Sequence, residues 1–299
     1  MNIKKCLVLV VLILSISTLY AGETANFPLN LTDVLGRPFT LKAPPQRIVS
    51  LSPAITEILF AIGAGEQVVG VTQYCNYPAE AQARPKVGGF SGISISVEQI
   101  AVLKPDVVLL SGLMHERIIT LLERLGIPAF AVEPLNFEQV YQTIETLGRL
   151  TGYDQEAGEV VAIMQAKIRR AEERSRGKER PAVFWELIDE PLMSAGGNTF
   201  INEAIRLGGG RNIFEDLREQ YPVVSTEQVL LRRPAWIIAG DDHGRIITPD
   251  ALSRRPGWQR IPAVRDGHIA LVNADTLYRY GPRLADAVLA ISEILWGKL

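Results

Sequence analysis

Apolar and polar positions in this chain change period many times, and the changes mark its elements. Phe27 to Lys42 alternates around Leu35-Gly36-Arg37, which predicts a short hairpin. After Pro44-Pro45, Arg47-Ile48-Val49-Ser50-Leu51 is a β-branched run that ends at Ser52-Pro53. Thr56 to Ile62 then carries Ile58, Leu59 and Ile62 at helical spacing, Gly63 and Gly65 stop it, and Val68-Val69-Gly70-Val71 is the next strand. Strand, turn, helix, strand is the unit of a parallel α/β sheet. The alternation continues through a helix at Val97–Leu103, a strand at Val107–Leu110, a helix at Arg117–Leu125, a strand at Ala129–Val132 and a helix at Phe137–Leu150.

Asp154 to Arg176 differs. It has no Pro and one Gly, Gly158, with Val160, Val161, Ile163, Met164 and Ile168 as an apolar stripe, so it predicts a single helix of more than five turns. A second α/β series follows, with strands at Ala182–Trp185, Trp236–Ala239 and Ile269–Val272, helices at Phe200–Arg206 and Leu284–Leu295, and Gly208-Gly209-Gly210 as a helix stop. The expected fold is two Rossmann-like α/β lobes, 22–152 and 178–299, joined by one long helix at 153–177.

One segment occurs twice. Ser96-Val97-Glu98-Gln99 through Pro105 matches Ser225-Thr226-Glu227-Gln228 through Pro234, and a strand follows each Pro. Ser at the N-cap and Glu in the first turn are ordinary helix punctuation. One copy in each lobe offers a second reading, because equivalent positions on two similar lobes suit a partner that is itself two-fold symmetric.

The first residues read as an address. Lys4 and Lys5 precede an apolar run from Leu7 to Ile16, and Leu19-Tyr20-Ala21 precedes Gly22, the order of a secretory signal peptide cleaved after Ala21. The competing reading is an uncleaved membrane anchor. Export leaves one cysteine, Cys75, which reads as a small buried apolar residue. With 299 residues, 47% of them apolar, and a formal net charge of −2, the chain can build real cores and has no basic field for a polyanion, so nucleic acid is not an expected partner. Its three His are scattered, and no P-loop, GxSxG elbow or HExxH helix occurs. Asp241-Asp242-His243 reads as a polar loop rather than a metal cluster.

Two lobes hold a ligand where their strand ends face each other. The loops at those ends carry Ser52 and Ala54, then Tyr74, Tyr77, Phe90, Met114, Met193, Tyr221, Tyr278 and Tyr280, with Arg279 and Arg283. Aromatics are only 7% of the chain, so their gathering on loops suits a large, flat, partly polar ligand, although some of the rings are expected to sit in ordinary loop packing.

Several motifs taken together resemble the periplasmic substrate-binding proteins of ABC importers for vitamin B12, haem and iron-siderophore complexes. They are Arg47–Pro53 with Thr56-Glu57, Gly70–Pro78, Leu103-Lys104-Pro105-Asp106, Gly208–Phe214, and Pro256-Gly257-Trp258 before Ala263-Val264. The resemblance covers about Arg47 to Leu295 and is greatest to the vitamin B12-binding branch. It implies a non-enzymatic, monomeric periplasmic protein that carries no cofactor or metal of its own. Its ligand would be a cobalt corrinoid or an iron chelate, and its partner a permease dimer.

The resemblance also implies residue roles. Tyr74 matches a corrin-contacting Tyr. Phe90 and Tyr221 match aromatic positions that are often Trp, and Asp275 and Arg279 match an Asp and an Arg near the C-terminus. Glu98 and Glu227 match the Glu of each lobe that docks on the permease. Ser111 stands where a Trp is expected, and a Phe contact of the second lobe falls near Leu187 or Met193. Those departures keep a siderophore or haem open as the ligand; a secreted α/β hydrolase is the remote alternative from another class.

Overall fold

The computed structural model describes residues 27–241 and 247–297. The predicted signal segment, and Asp242 and His243, lie outside the described residues.

The hairpin forms as β1 (Leu29–Thr32) and β2 (Pro38–Leu41), paired antiparallel. Buried Asp33 organises its turn by accepting the backbone N–H groups of Leu35 and Arg37, both at 3.0 Å. The first lobe then runs through β3 (Ile48–Ser50), α1 (Pro53–Ala61), β4 (Val68–Val71), α2 (Ala79–Gln82), α3 (Val97–Val102), β5 (Val107–Ser111), α4 (Glu116–Arg124), β6 (Ala129–Val132) and α5 (Phe137–Thr151). Helix α1 starts earlier than its apolar spacing predicts, because Pro53 occupies its first position, where the missing N–H costs nothing.

α6 (Asp154–Ser175) is the long helix, 22 residues and about 33 Å at 1.5 Å per residue. The second lobe has β7 (Ala182–Glu186), a small hairpin of β8 (Ile188–Asp189) and β9 (Leu192–Met193), α7 (Phe200–Leu207), β10 (Arg211–Asn212), α8 (Thr226–Arg232) and β11 (Trp236–Gly240). It closes with α9 (Pro249–Ser253), α10 (Pro262–Arg265), β12 (Ile269–Val272), α11 (Ala274–Tyr278) and α12 (Leu284–Trp296). Among the predicted strands, all are found. The two-residue strands β8, β9 and β10 carry too little pattern to be read from the sequence.

Each lobe holds one four-stranded parallel sheet, ordered β4-β3-β5-β6 in the first and β10-β7-β11-β12 in the second. Counted within its lobe, each sheet has the same order, second-first-third-fourth. In both, the order reverses between the first and third strands, where parallel α/β sheets leave a crevice at the carboxyl ends. The duplicated segment occupies the same place in both: α3 leads into β5 and α8 leads into β11.

The likeness of the copies extends to backbone detail. Ser96 and Ser225 both cap their helices, accepting the N–H groups of Gln99 and Gln228 at 3.2 Å. Lys104 and Arg233, each just before the matched Pro, have φ +47°, and they are the non-glycine residues at positive φ among the described residues. Ile100 and Val229 are wholly buried at matched positions.

The lobes share a core. One cluster of buried side chains runs from Ile48 and Leu59 through Leu147 on α5 and Met164 on α6 to Val183, Ile205 and Ile291. α5 and α6 come close enough that Gly148 is required, since a Cβ there would stand 2.4 Å from the Cβ of Ala157.

Candidate functional site

A cleft opens at the carboxyl ends of the first lobe's strands and is closed on its far side by the segment after β12. It holds about 1030 Å³ of empty space, part of it open to solvent. The first-lobe wall comes from Leu51-Ser52-Pro53-Ala54 after β3, and from Tyr74 and Phe90. Tyr74 and Phe90 meet edge to face with centroids 5.7 Å apart, yet remain 53% and 49% exposed. Rings that touch each other and still face solvent offer apolar area to a ligand. Gly88 makes this loop possible: its φ is +128°, and a Cβ would fall 2.2 Å from the carbonyl oxygen of Ser94.

The far wall carries Asp275, Tyr278, Arg279 and Tyr280. Tyr280 stacks on Phe200 at 4.0 Å, and Phe200 meets Phe137 of α5 at 6.0 Å, so a ladder of rings from both lobes lies beneath the cleft. Tyr221 stands beside Tyr280 of this wall, whose hydroxyl is pushed above the usual tyrosine range, by burial first and then by Tyr221. Met193 does not line the cleft; it lies in the small hairpin, bridged to Val223. Of the residues singled out in the sequence, the cleft therefore gathers Ser52, Ala54, Tyr74, Phe90, Met114, Asp275, Tyr278, Arg279 and Tyr280 directly, with Tyr221 at its edge.

A buried ionic group ties the lobes beside the cleft. Glu57 of α1 is 3% exposed and takes both guanidiniums of the second lobe's last segment. Arg283 reaches it at 2.6 and 2.8 Å, and Arg279 at 3.4 Å. Arg279 also pairs with Asp275 at 2.9 Å and donates to Asn76. Arg283 lies 4.0 Å from the centre of the Tyr77 ring. Two carboxylates and two guanidiniums balance in charge here. Arg283 and Tyr77 thus serve the junction of the lobes, away from the cleft.

Three cleft groups at the ends of β5 and β6 form a polar corner: Ser111, His115 and Glu133. His115 is buried, and its Nδ1 accepts the Ser111 N–H at 3.2 Å, so its Nε2 donates to the Phe90 carbonyl at 3.2 Å. Burial, the largest effect, holds the imidazole below its ordinary pKa against the opposing pull of the Phe90 carbonyl and Glu133. The ring is a neutral strut under the Phe90 loop. Sequence reasoning singled out Ser111 but gave no role to His115, Glu133 or Glu57. The signal for Glu133 was its place just after the fourth strand, the same rule that found the other loops. Cys75 is buried against Thr56 and Thr72, as its type suggests. Asp241 accepts the Ala274 N–H at the start of α11. Among the described residues no group of three or more His, Cys, Asp or Glu is placed to hold a metal.

The family model for periplasmic binding proteins matches residues 48–276. This chain belongs to that family. The vitamin B12-binding protein of Yersinia pestis is 31% identical over 240 residues, 80% of this chain and 82% of that protein. An uncharacterized ABC transporter substrate-binding lipoprotein of Bacillus subtilis, YvrC, is 30% identical over 286 residues, 92% of this chain and 87% of the relative. Among solved structures, the periplasmic vitamin B12-binding protein of Vibrio cholerae superposes with a TM-score of 0.69 at 27% identity, covering 84% of this chain and 97% of that one. The apo periplasmic haem-binding protein of Roseiflexus sp. RS-1 gives 0.73 at 27%, covering 84% and 98%. The two-lobed α/β fold is that of the family, whose members are substrate-binding proteins of transport systems and not enzymes.

Proposed function

We propose that this protein captures a corrinoid of the vitamin B12 type outside the cytoplasm and delivers it to a two-fold ABC importer. The observation that carries the reading is the half-exposed Tyr74–Phe90 pair facing Tyr280 across an open cleft. Ring faces on opposite walls suit a broad, flat ligand, and Asp275 and Arg279 at the rim suit its polar edge. Similarity to the vitamin B12-binding proteins supports the same ligand. A haem or iron-siderophore ligand is the second reading, favoured by the likeness to the Roseiflexus haem-binding protein. Calorimetric titration of the exported protein with cyanocobalamin, haemin and a ferric-siderophore panel decides between them. Saturable one-to-one heat with cyanocobalamin is expected, and binding of haemin or a siderophore alone would overturn the corrinoid reading.

Delivery uses the duplicated segment. Glu98 and Glu227 are fully exposed in the first turns of α3 and α8. Backbone N–H bonds first, and Ser96 or Ser225 next, hold both carboxyls below the usual range, so both are ionised. One turn on, Val102 and Leu231 are 79% and 83% exposed at matched positions. A scattered apolar side chain means little, but one beside a carboxylate at the same place in each lobe is a patterned surface. Both helices begin just after cleft loops, since Phe90 precedes α3 and Tyr221 precedes α8, so the docking face borders the mouth of the cleft. A two-fold permease presenting a basic and an apolar side chain at two equivalent points complements it.

A further inference from the structure

We infer that Glu133 is the residue that sets ligand chemistry in the cleft: it selects a ligand presenting N–H donors, such as peripheral primary amides, and rejects one presenting carboxylates at the same place. The inference rests on the corrinoid reading and names the part of the ligand that this wall recognises.

Glu133 follows β6, and Ser111 ends the neighbouring strand β5, paired in register with Val132. The Ser111 hydroxyl donates to Glu133 Oε2, and the Leu113 N–H donates to the same oxygen at 3.3 Å. Both bonds fix the carboxylate on the cleft wall and leave Oε1 with no hydrogen bond from the described residues. A carboxylate oxygen held in this way is a strong acceptor for an incoming N–H.

Charge decides the sign of the preference. Of the ionisable side chains that line the cleft, Asp275 and Arg279 belong to the balanced group with Glu57 and Arg283. His115 is neutral because its Nδ1 is an acceptor. Glu133 has no basic partner among the described residues, so the lining carries an unbalanced negative charge. That charge also acts on the opposite wall, where it adds to the protonation of Tyr280. An amide NH2 gains a charge-assisted bond here. A carboxylate of nearly the same shape meets repulsion and finds no free cation among the described residues of the lining. Ser111 makes this possible in another way: a large ring at that position would cover Glu133, whereas a hydroxyl aims it.

The experiment compares cyanocobalamin with each of its separated monocarboxylic acids, in which one peripheral amide NH2 is replaced by O⁻. Wild-type protein should bind cyanocobalamin, and bind at least one acid about tenfold more weakly. Glu133→Gln keeps an acceptor for Ser111 and Leu113 and replaces the oxygen that has no hydrogen bond with a donor; it should bind that same acid as tightly as the parent or tighter. Ser111→Ala, which removes the aiming bond and keeps the charge, should retain part of the discrimination, and it serves as the test if Glu133→Gln loses its native circular dichroism. Equal treatment of amide and acid by the wild type, or the same discrimination in Glu133→Gln, overturns the role of Glu133 while the corrinoid reading stands. Wild-type protein that ignores cyanocobalamin overturns both.

Discussion

Tyr74 and His115 divide the two tasks that fall to single residues in this cleft. Tyr74 spends half its surface on solvent and makes one ring contact, with Phe90, so removing it takes little from the folded state. Tyr74→Ala should weaken cyanocobalamin binding by about 1–3 kcal/mol, the value of one ring face, while the melting temperature barely changes. Unaltered affinity would place the ligand elsewhere. His115 supports the Phe90 loop only as the neutral ring, and its folded pKa lies below the unfolded one. The unfolded chain therefore takes up the proton first, near pH 6.5, so the stability His115 confers is complete above that pH and declines as pH falls towards the folded value. Urea midpoints measured at pH 7.5 and 5.5 should drop further for wild type than for His115→Gln. Parallel drops would show that other groups govern the acid limb.

At the scale of elements, the paired helices α5 and α6 hold two glycine questions with opposite answers. Gly158 lies on α6 with no atom within 4 Å of where a Cβ would stand, and its backbone is not at positive φ. Gly158→Ala should stabilise the protein by about 0.5–1 kcal/mol through helix propensity alone. Gly148 lies on α5 at its contact with α6, where a Cβ would collide with Ala157. Gly148→Ala should cost about 1–3 kcal/mol, because overpacking forces the two helices apart. Guanidinium unfolding of both variants checks the pair, and a loss of stability in Gly158→Ala would contradict the account of α6 as an ordinary solvent-backed helix at that point. The same two positions look alike in the sequence, as single glycines within helical patterns.

At the scale of the molecule, two features resist lobe closure. α6 packs between α5 and α12 within one core shared by both lobes, and bending it would break its hydrogen-bond ladder where no Pro interrupts. Glu57 with Arg279 and Arg283 joins the lobes again beside the cleft. Small-angle scattering should give the same radius of gyration with and without cyanocobalamin; a decrease of the kind hinge closure produces would refute this. The proposed docking belongs to the same scale, since it would need both lobes at a fixed separation. Glu98→Lys combined with Glu227→Lys should abolish uptake in cells that depend on this protein and leave cyanocobalamin affinity in solution unchanged. Uptake that survives would reduce the two carboxylates to helix punctuation.

Local patterns made most of the elements legible. β-branched runs between glycine and proline stops determined the strands, an uninterrupted amphipathic stretch determined α6, and the duplicated Ser-x-Glu-Gln segment marked equivalent places in two lobes before any sheet order was known. These signals are local because hydrogen-bond geometry and side-chain period act over a few residues. The cleft's aromatics were legible for a related reason: they sit on loops at strand ends. Partnership across the chain was not. Glu57 and Arg283 are 226 positions apart, and nothing near either one announces a buried ion pair. Glu133 became a cleft residue only when β5 and β6 paired in register and put its carboxylate against Ser111. Tyr280 became part of a ring ladder, and Arg283 part of a junction rather than a binding wall, by the way the lobes meet. Those roles depend on distances that only the assembled tertiary structure sets.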